Sequence, residues 1–163
     1  MTYEMTVAGV TRQLPLRPIN DTTMIAAFVI FGDVELTCAC ASGLLKIAPE
    51  FDYMVAPEAK AIPLVHEMAK QSGRNEYFLV RKTPKLYMDG ADAKKIHGKR
   101  VLILDDVIST GGSLAAAESL VDQAGGTVVG RMAILAEGGA AKRDDILFLD
   151  NLPLFSADGK PLV

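Results

Sequence analysis

Apolar residues along this chain fall in short runs separated by glycine, proline and acidic punctuation, and the runs alternate in type. Tyr3 to Val10 and Thr11 to Leu16 predict two short strands hinged at Ala8-Gly9. Pro15 and Pro18 are expected to end the second, because proline has no N–H for a sheet ladder. Met24 to Phe31 mixes β-branched, aromatic and other apolar residues and predicts a strand, with helix as the alternative, until Gly32-Asp33 breaks it. Asp33 suits the cap of a helix over Val34 to Ile47, interrupted by Gly43 and closed by Pro49. Ile62 to Gln71 reads as a helix with Leu64, Val65 and Met68 on one face and Gly73 as its stop. Ser113 to Ala124 reads as another, stopped by Gly125-Gly126. Tyr53 to Ala56, Tyr77 to Val80, Val101 to Leu104, Thr127 to Ala136 and Ile146 to Leu149 read as strands.

Strands alternating with helices predict an α/β fold, a parallel sheet flanked by helices with right-handed crossovers. The first thirty or so residues and roughly the last fifteen lie outside the alternation and are expected to form a small hood over the sheet's carboxyl edge. With no linker, repeat or low-complexity tract, residues 1–163 read as one domain.

Composition narrows the partners. Lys plus Arg is 17 against 20 for Asp plus Glu, a net charge of −3, which disfavours a general nucleic-acid binder. Cys38 and Cys40 are too few for a disulfide framework or a structural zinc site and read as thiols in a reducing compartment. Met1-Thr2-Tyr3-Glu4 lacks the basic start of a targeting segment, and the longest apolar stretch, Met24 to Phe31, is far short of a membrane span. The expectation is a soluble, cytoplasmic protein with no nucleic-acid or membrane partner.

The chemistry concentrates in Val101 to Ser113. An apolar strand delivers Asp105 and Asp106, then come Val107 and Ile108, then Ser109-Thr110-Gly111-Gly112-Ser113 and a helix. Ligands of open α/β sheets bind at that edge. Gly111 and Gly112 allow backbone N–H groups to approach an anion, and the hydroxyls and the helix start add donors and partial positive charge. Carboxylates suit the vicinal hydroxyls of a sugar. Together these groups describe a ribose 5-phosphate site. The spacing matches neither a Walker A loop nor a dinucleotide fingerprint.

This segment resembles the PRPP-binding motif of type I phosphoribosyltransferases: an apolar strand, two acidic residues, then Thr-Gly-Gly with a final Ser or Thr. The resemblance implies that Asp105 and Asp106 hold the ribose hydroxyls, that Val107, Ile108 and the loop Ser109, Thr110, Gly111, Gly112 and Ser113 line the PRPP and 5-phosphate site, and that Val107 lies near the base. Glu58-Ala59-Lys60, after Pro57, is similar to the pyrophosphate loop of the purine enzymes. Arg81-Lys82, with Lys85 beyond, is similar to a stretch of the adenine phosphoribosyltransferases, which makes Arg81, Lys82 and Lys85 pyrophosphate candidates and Lys82 a catalytic one. By the same resemblance, Phe155 is a base-binding candidate, Mg²⁺ arrives bound to PRPP, the second substrate is a purine with adenine first, and the protein is a homodimer. The sequence departs from the family twice. The pyrophosphate loop reads Glu-Ala-Lys-Ala where adenine enzymes often have Glu-Ala-Arg-Gly, and the stretch from Lys82 to Val101, where the family has a mobile closing loop, is short. The alternatives are the same chemistry on xanthine or hypoxanthine-guanine, and a non-catalytic PRPP-sensing regulator. His66 reads as structural and His97 as an exposed turn residue. Glu137-Gly138-Gly139 reads as a turn or a substrate contact, and Leu152 to Phe155 as a base cover or core packing.

Overall fold

The fold is described here from a computed structural model, covering residues 1–82 and 87–162. Its centre is a five-stranded parallel sheet. The strands are β4 (Tyr53–Pro57), β5 (Phe78–Val80), β6 (Arg100–Ile108), β7 (Thr127–Glu137) and β8 (Leu147–Leu152), in the order β5-β4-β6-β7-β8. Val101 to Leu104 is fully buried, as a parallel strand covered on both faces must be. Leu102 and Leu104 pack with helices α1 (Val34–Ile47) and α2 (Ile62–Gln71), whereas Val101 and Ile103 pack with α3 (Gly90–Ile96) and α4 (Gly112–Gln123). Successive residues of β6 thus feed two separate apolar layers.

The termini build the hood, an antiparallel sheet of β1 (Thr2–Val7), β2 (Val10–Pro18), β3 (Thr23–Ala26) and β9 (Leu154–Ser156), in the order β1-β2-β3-β9. Arg12 ties this sheet to the helical layer. Its guanidinium donates to both carboxylate oxygens of Asp33 at 2.7 and 3.0 Å, while Asp33 also caps α1 through the Leu36 N–H at 3.1 Å. That pairing holds the Asp33 carboxyl below its ordinary range.

Several expectations need correction. Pro15 does not end β2, which continues to Pro18. Its carbonyl accepts from the Ala27 N–H at 2.9 Å, so the donor it lacks is missed only where β3 has already finished. Met24 to Phe31 is not one strand: β3 stops at Ala26. The strand expected over Val101 to Leu104 runs to Ile108 and carries both aspartates within it. Strand β8 is offset from Ile146–Leu149 because its register with β7 starts at Met132↔Leu147. Helix α3 escaped the hydrophobic pattern, having one buried residue, Ile96, behind an Asp89 cap. Gly43 fits inside α1 because the helix presses on β8; a Cβ there would lie 3.1 Å from Leu149. No helix among the described residues is long and apolar enough to cross a membrane.

Candidate functional site

The carboxyl ends of β4, β5, β6 and β7 meet under the hood. Adjacent residues of a strand point to opposite faces, and the two aspartates of β6 accordingly line two neighbouring clefts. Asp105 shares a cup of about 120 Å³ with Val107 and the run Ile108 to Leu114. Asp106 lines a cleft of about 230 Å³ with Lys60, Val107, Ser109, Glu137, Leu152 and the hood segment Ile25 to Val29. Val107 and Ser109 border both.

The cup is made of backbone. Gly111 sits at φ +83°, a left-handed conformation that glycine adopts without strain, and it turns the chain from β6 into α4. The N–H groups of Thr110 to Leu114 take no acceptor among the described residues. They converge at the start of a twelve-residue helix, an arrangement suited to an anion. Among the described residues, the cup's lining includes no Lys or Arg.

Asp106 is 5% exposed and Asp105 partly exposed. Burial pushes the Asp105 carboxyl up to about 8, with a hydrogen bond and the negative charge of Asp106 adding to the rise; the Asp106 N–H and the charge of Lys82 work against it. The Asp106 N–H donates to Asp105 Oδ1 at 2.9 Å. The Asp105 carboxyl is thereby harder to ionise than an ordinary carboxyl.

Glu58 organises the neighbouring loops. Its N–H donates to the Val80 carbonyl at 3.0 Å, its Oε1 accepts from the Lys82 N–H at 3.2 Å, and its Oε2 pairs with Arg81 Nε at 3.2 Å. The Glu58–Ala59 peptide is cis. Lys60 faces the Asp106 cleft, and the exposed Arg81 and Lys82 follow β5 at the same edge. Arg81 and Tyr87 exchange two backbone hydrogen bonds, at 2.8 and 3.0 Å, so the chain leaving β5 is back beside Arg81 by Tyr87. Lys85 lies outside the described residues.

The structure thus brings together Asp105, Asp106, Val107, Ile108, the loop Ser109 to Ser113, Glu58, Ala59, Lys60, Arg81 and Lys82. It does not bring Phe155 to the cleft. That ring is 1% exposed and packs 5.0 Å from Tyr3 inside the hood, because β9 pairs with β3 and turns it inward. Leu152 is the residue of that segment that lines the cleft. Two contributions escaped the sequence. Phe28 and Val29 line the cleft, and their backbone groups have no backbone partner among the described residues. Arg143 packs against Gly111, yet in sequence it is one charge in the polar run Lys142-Arg143-Asp144-Asp145.

Fold and site together define an α/β protein with an anion-suited cup at the carboxyl edge of its sheet, two acids beside it and a second cleft next door. Residues 44–157 match the family model of the phosphoribosyl transferase domain, and the chain belongs to that family. Among curated proteins it is 35% identical over 91 residues to an orotate phosphoribosyltransferase of Methanopyrus kandleri, covering 55% of this chain and 49% of that one. It is 34% identical over 134 residues to an adenine phosphoribosyltransferase of Bifidobacterium longum, covering 72% of this chain and 63% of that one. The chain thus spans about half to two thirds of the length of these relatives. Among solved structures it resembles the adenine phosphoribosyltransferase of Thermoanaerobacter pseudethanolicus, with a TM-score of 0.63 and 27% identity over 75% of this chain and 84% of that one.

Proposed function

We propose that this protein transfers ribose 5-phosphate from PRPP to a neutral purine, adenine first, giving the nucleotide and pyrophosphate. The observation that carries the reading is the cup of unpaired N–H groups at Thr110 to Leu114, set beside Asp105 and Asp106 and opening onto the hood cleft. In this reading the 5-phosphate occupies the cup and the ribose hydroxyls face the two carboxyls. Lys60, Arg81 and Lys82 attend the pyrophosphate as cations beside the leaving group. No cluster of three or more His, Cys, Asp or Glu side chains is grouped for a metal among the described residues. Two carboxyls suit a Mg²⁺ ion that arrives on PRPP keeping phosphate and water ligands, and that ion would offset the charge of the leaving pyrophosphate. The protein's part is to position the two substrates and to stabilise charge as the bond to pyrophosphate loosens.

The cleft supports a neutral base over orotate, the substrate named for several relatives. A purine edge alternates donors and acceptors, as does the backbone of Phe28 and Val29, two lining residues with no backbone hydrogen bond among the described residues. A base carrying a carboxylate would meet Asp106 and Glu137, with Lys60 as the one cation of the lining among the described residues. The homodimer implied by family resemblance has an exposed apolar run to use, Val29, Phe31 and Val34.

A second reading, PRPP binding without catalysis, is favoured by the pyrophosphate loop, which reads Glu-Ala-Lys-Ala where adenine enzymes often have Glu-Ala-Arg-Gly. Nucleotide formation from PRPP and Mg²⁺ with adenine, hypoxanthine, guanine, xanthine and orotate in turn tests both. Adenine turnover is expected. Turnover with orotate alone would overturn the base assignment, and PRPP binding with no turnover on any base would leave the regulator.

A further inference from the structure

Gly111 lacks a side chain, and the space is taken by another residue. Arg143 Nη1 lies 2.6 Å from the point where a Cβ on Gly111 would stand. Arg143 follows the 3-10 turn Gly138–Lys142 that leaves β7. Its Nε and Nη2 donate to the two carboxylate oxygens of Asp145 at 2.8 and 2.7 Å, a fork-to-fork pair that fixes the plane of the guanidinium. Nη1 has no acceptor among the described residues and lies against the loop. A second pair, Arg131 with Glu118, stands nearby on the face of α4 and leaves the group's net charge near zero.

We infer that Arg143, held by Asp145, is a fixed cation of the 5-phosphate site, acting from behind Gly111. The inference rests on the reading of Thr110 to Leu114 as a phosphate cup. Among the described residues, the lining of that cup supplies dipoles, hydroxyls and the Asp105 carboxyl but no Lys or Arg. A phosphate dianion needs more than dipoles to be preferred over the monoanion, because the second charge is the one most strongly held by water. Arg143 brings to the loop a guanidinium whose Nη1 is left over from the Asp145 pair, without entering the cup. Asp145 keeps the long side chain from swinging into solvent, so little rotamer freedom is left to lose on binding. The same contact gives Gly111 a second reason to be glycine, besides its backbone angle.

The test is calorimetric titration with ribose 5-phosphate, which carries no base and so does not depend on the purine assignment. Arg143→Gln should weaken binding by about tenfold at pH 7.5 and by clearly less at pH 5, below the second phosphate ionisation near pH 6. Arg143→Lys should recover part of the loss. Asp145→Asn, which leaves the guanidinium in place but untethered, should lose about threefold. A merely structural role for Arg143 would lower affinity equally at both pH values, and that result overturns the inference, as does unchanged affinity in all three variants. If Arg143→Gln does not fold, the other two variants decide by the same comparison. Failure of the unmodified protein to bind ribose 5-phosphate is a different outcome: it overturns the phosphate-cup reading, and this inference with it.

Discussion

Replacing Asp105 by Asn should make the ligand-free protein more stable, and only above about pH 5. The folded protein raises this carboxyl from 3.8 to about 8, first by burial and then through Asp106. A carboxyl that holds its proton more tightly when folded adds stability below its unfolded value near 4, and loses it as pH rises through the folded value. At about 1.4 kcal/mol per pH unit, a rise of roughly four units sets a ceiling of about 6 kcal/mol. Water around a partly exposed group and local relaxation return part of this, so about 2–3 kcal/mol is expected. Asn keeps the shape and the acceptor for the Asp106 N–H but cannot ionise. The two proteins should therefore match near pH 4. At pH 8 the variant should lead by about 2–3 kcal/mol, or roughly 5–10 °C in Tm for a domain of this size. Urea denaturation of both proteins from pH 4 to pH 8.5 measures the difference, since titrating groups that do not interact with Asp105 cancel and Asp106 and Lys82 enter only through their coupling to it. Parallel stability curves, or a wild type that gains on the variant as pH rises, would refute the electrostatic account. The same proton bears on function. If PRPP needs Asp105 ionised as an acceptor, binding at pH 7 should release close to one proton, read from binding enthalpies in two buffers. The variant should bind PRPP weakly despite its greater stability.

Three further outcomes are expected. Gly111→Val places a side chain at φ +83° and within 2.6 Å of Arg143 Nη1; it should cost about 1–2 kcal/mol of stability by the left-handed penalty alone and lower affinity for PRPP and AMP alike in calorimetry. Lys82→Ala keeps the backbone bond to Glu58 and removes a cation from the pyrophosphate side; steady-state AMP synthesis should fall about a hundredfold while AMP affinity stays near wild type, and equal losses in both would remove the leaving-group role. Gly126→Ala, far from the clefts, puts a methyl 2.6 Å from Ile96 Cγ2 and 2.9 Å from Val121 Cγ1; it should cost about 1–3 kcal/mol in urea denaturation with no change in ribose 5-phosphate affinity.

What the sequence made legible was whatever is short-range. From Val101 to Gln123 the strand, the acids, the glycines and the helix follow one another along the chain, and their chemistry is a matter of residue type and order. The alternation of strands and helices was equally readable, because burial on both faces forces continuous apolar runs. Arg143 was not readable. It lies about thirty residues beyond Gly111, and only the return of the chain through β7 brings the two together. Phe155 misled for a similar reason. An apolar C-terminal residue suits a base cover or a core equally, and the choice is made by the register Met24↔Phe155, which turns the ring toward Tyr3.

Pro15 shows how one rule can be right about chemistry and wrong about address. Proline lacks a donor, which is why it reads as a strand stop. In the antiparallel ladder of the hood, however, Pro15 lies opposite Ala27, and it still accepts from the Ala27 N–H. The bond it cannot make is the reciprocal one, to the Ala27 carbonyl. Strand β2 loses nothing by this, since its pairing with β1 runs from Val10 through Pro15 and the Leu16 N–H still reaches the Met1 carbonyl. The strand that stops is its neighbour, β3, one residue earlier at Ala26. Beyond that point the chain is released from the ladder and Phe28 and Val29 line the cleft together with Val107 and Leu152, with no backbone hydrogen bond among the described residues. A half-buried proline in the scaffold of the hood thus marks where the hood stops being a sheet and becomes the wall of a cleft.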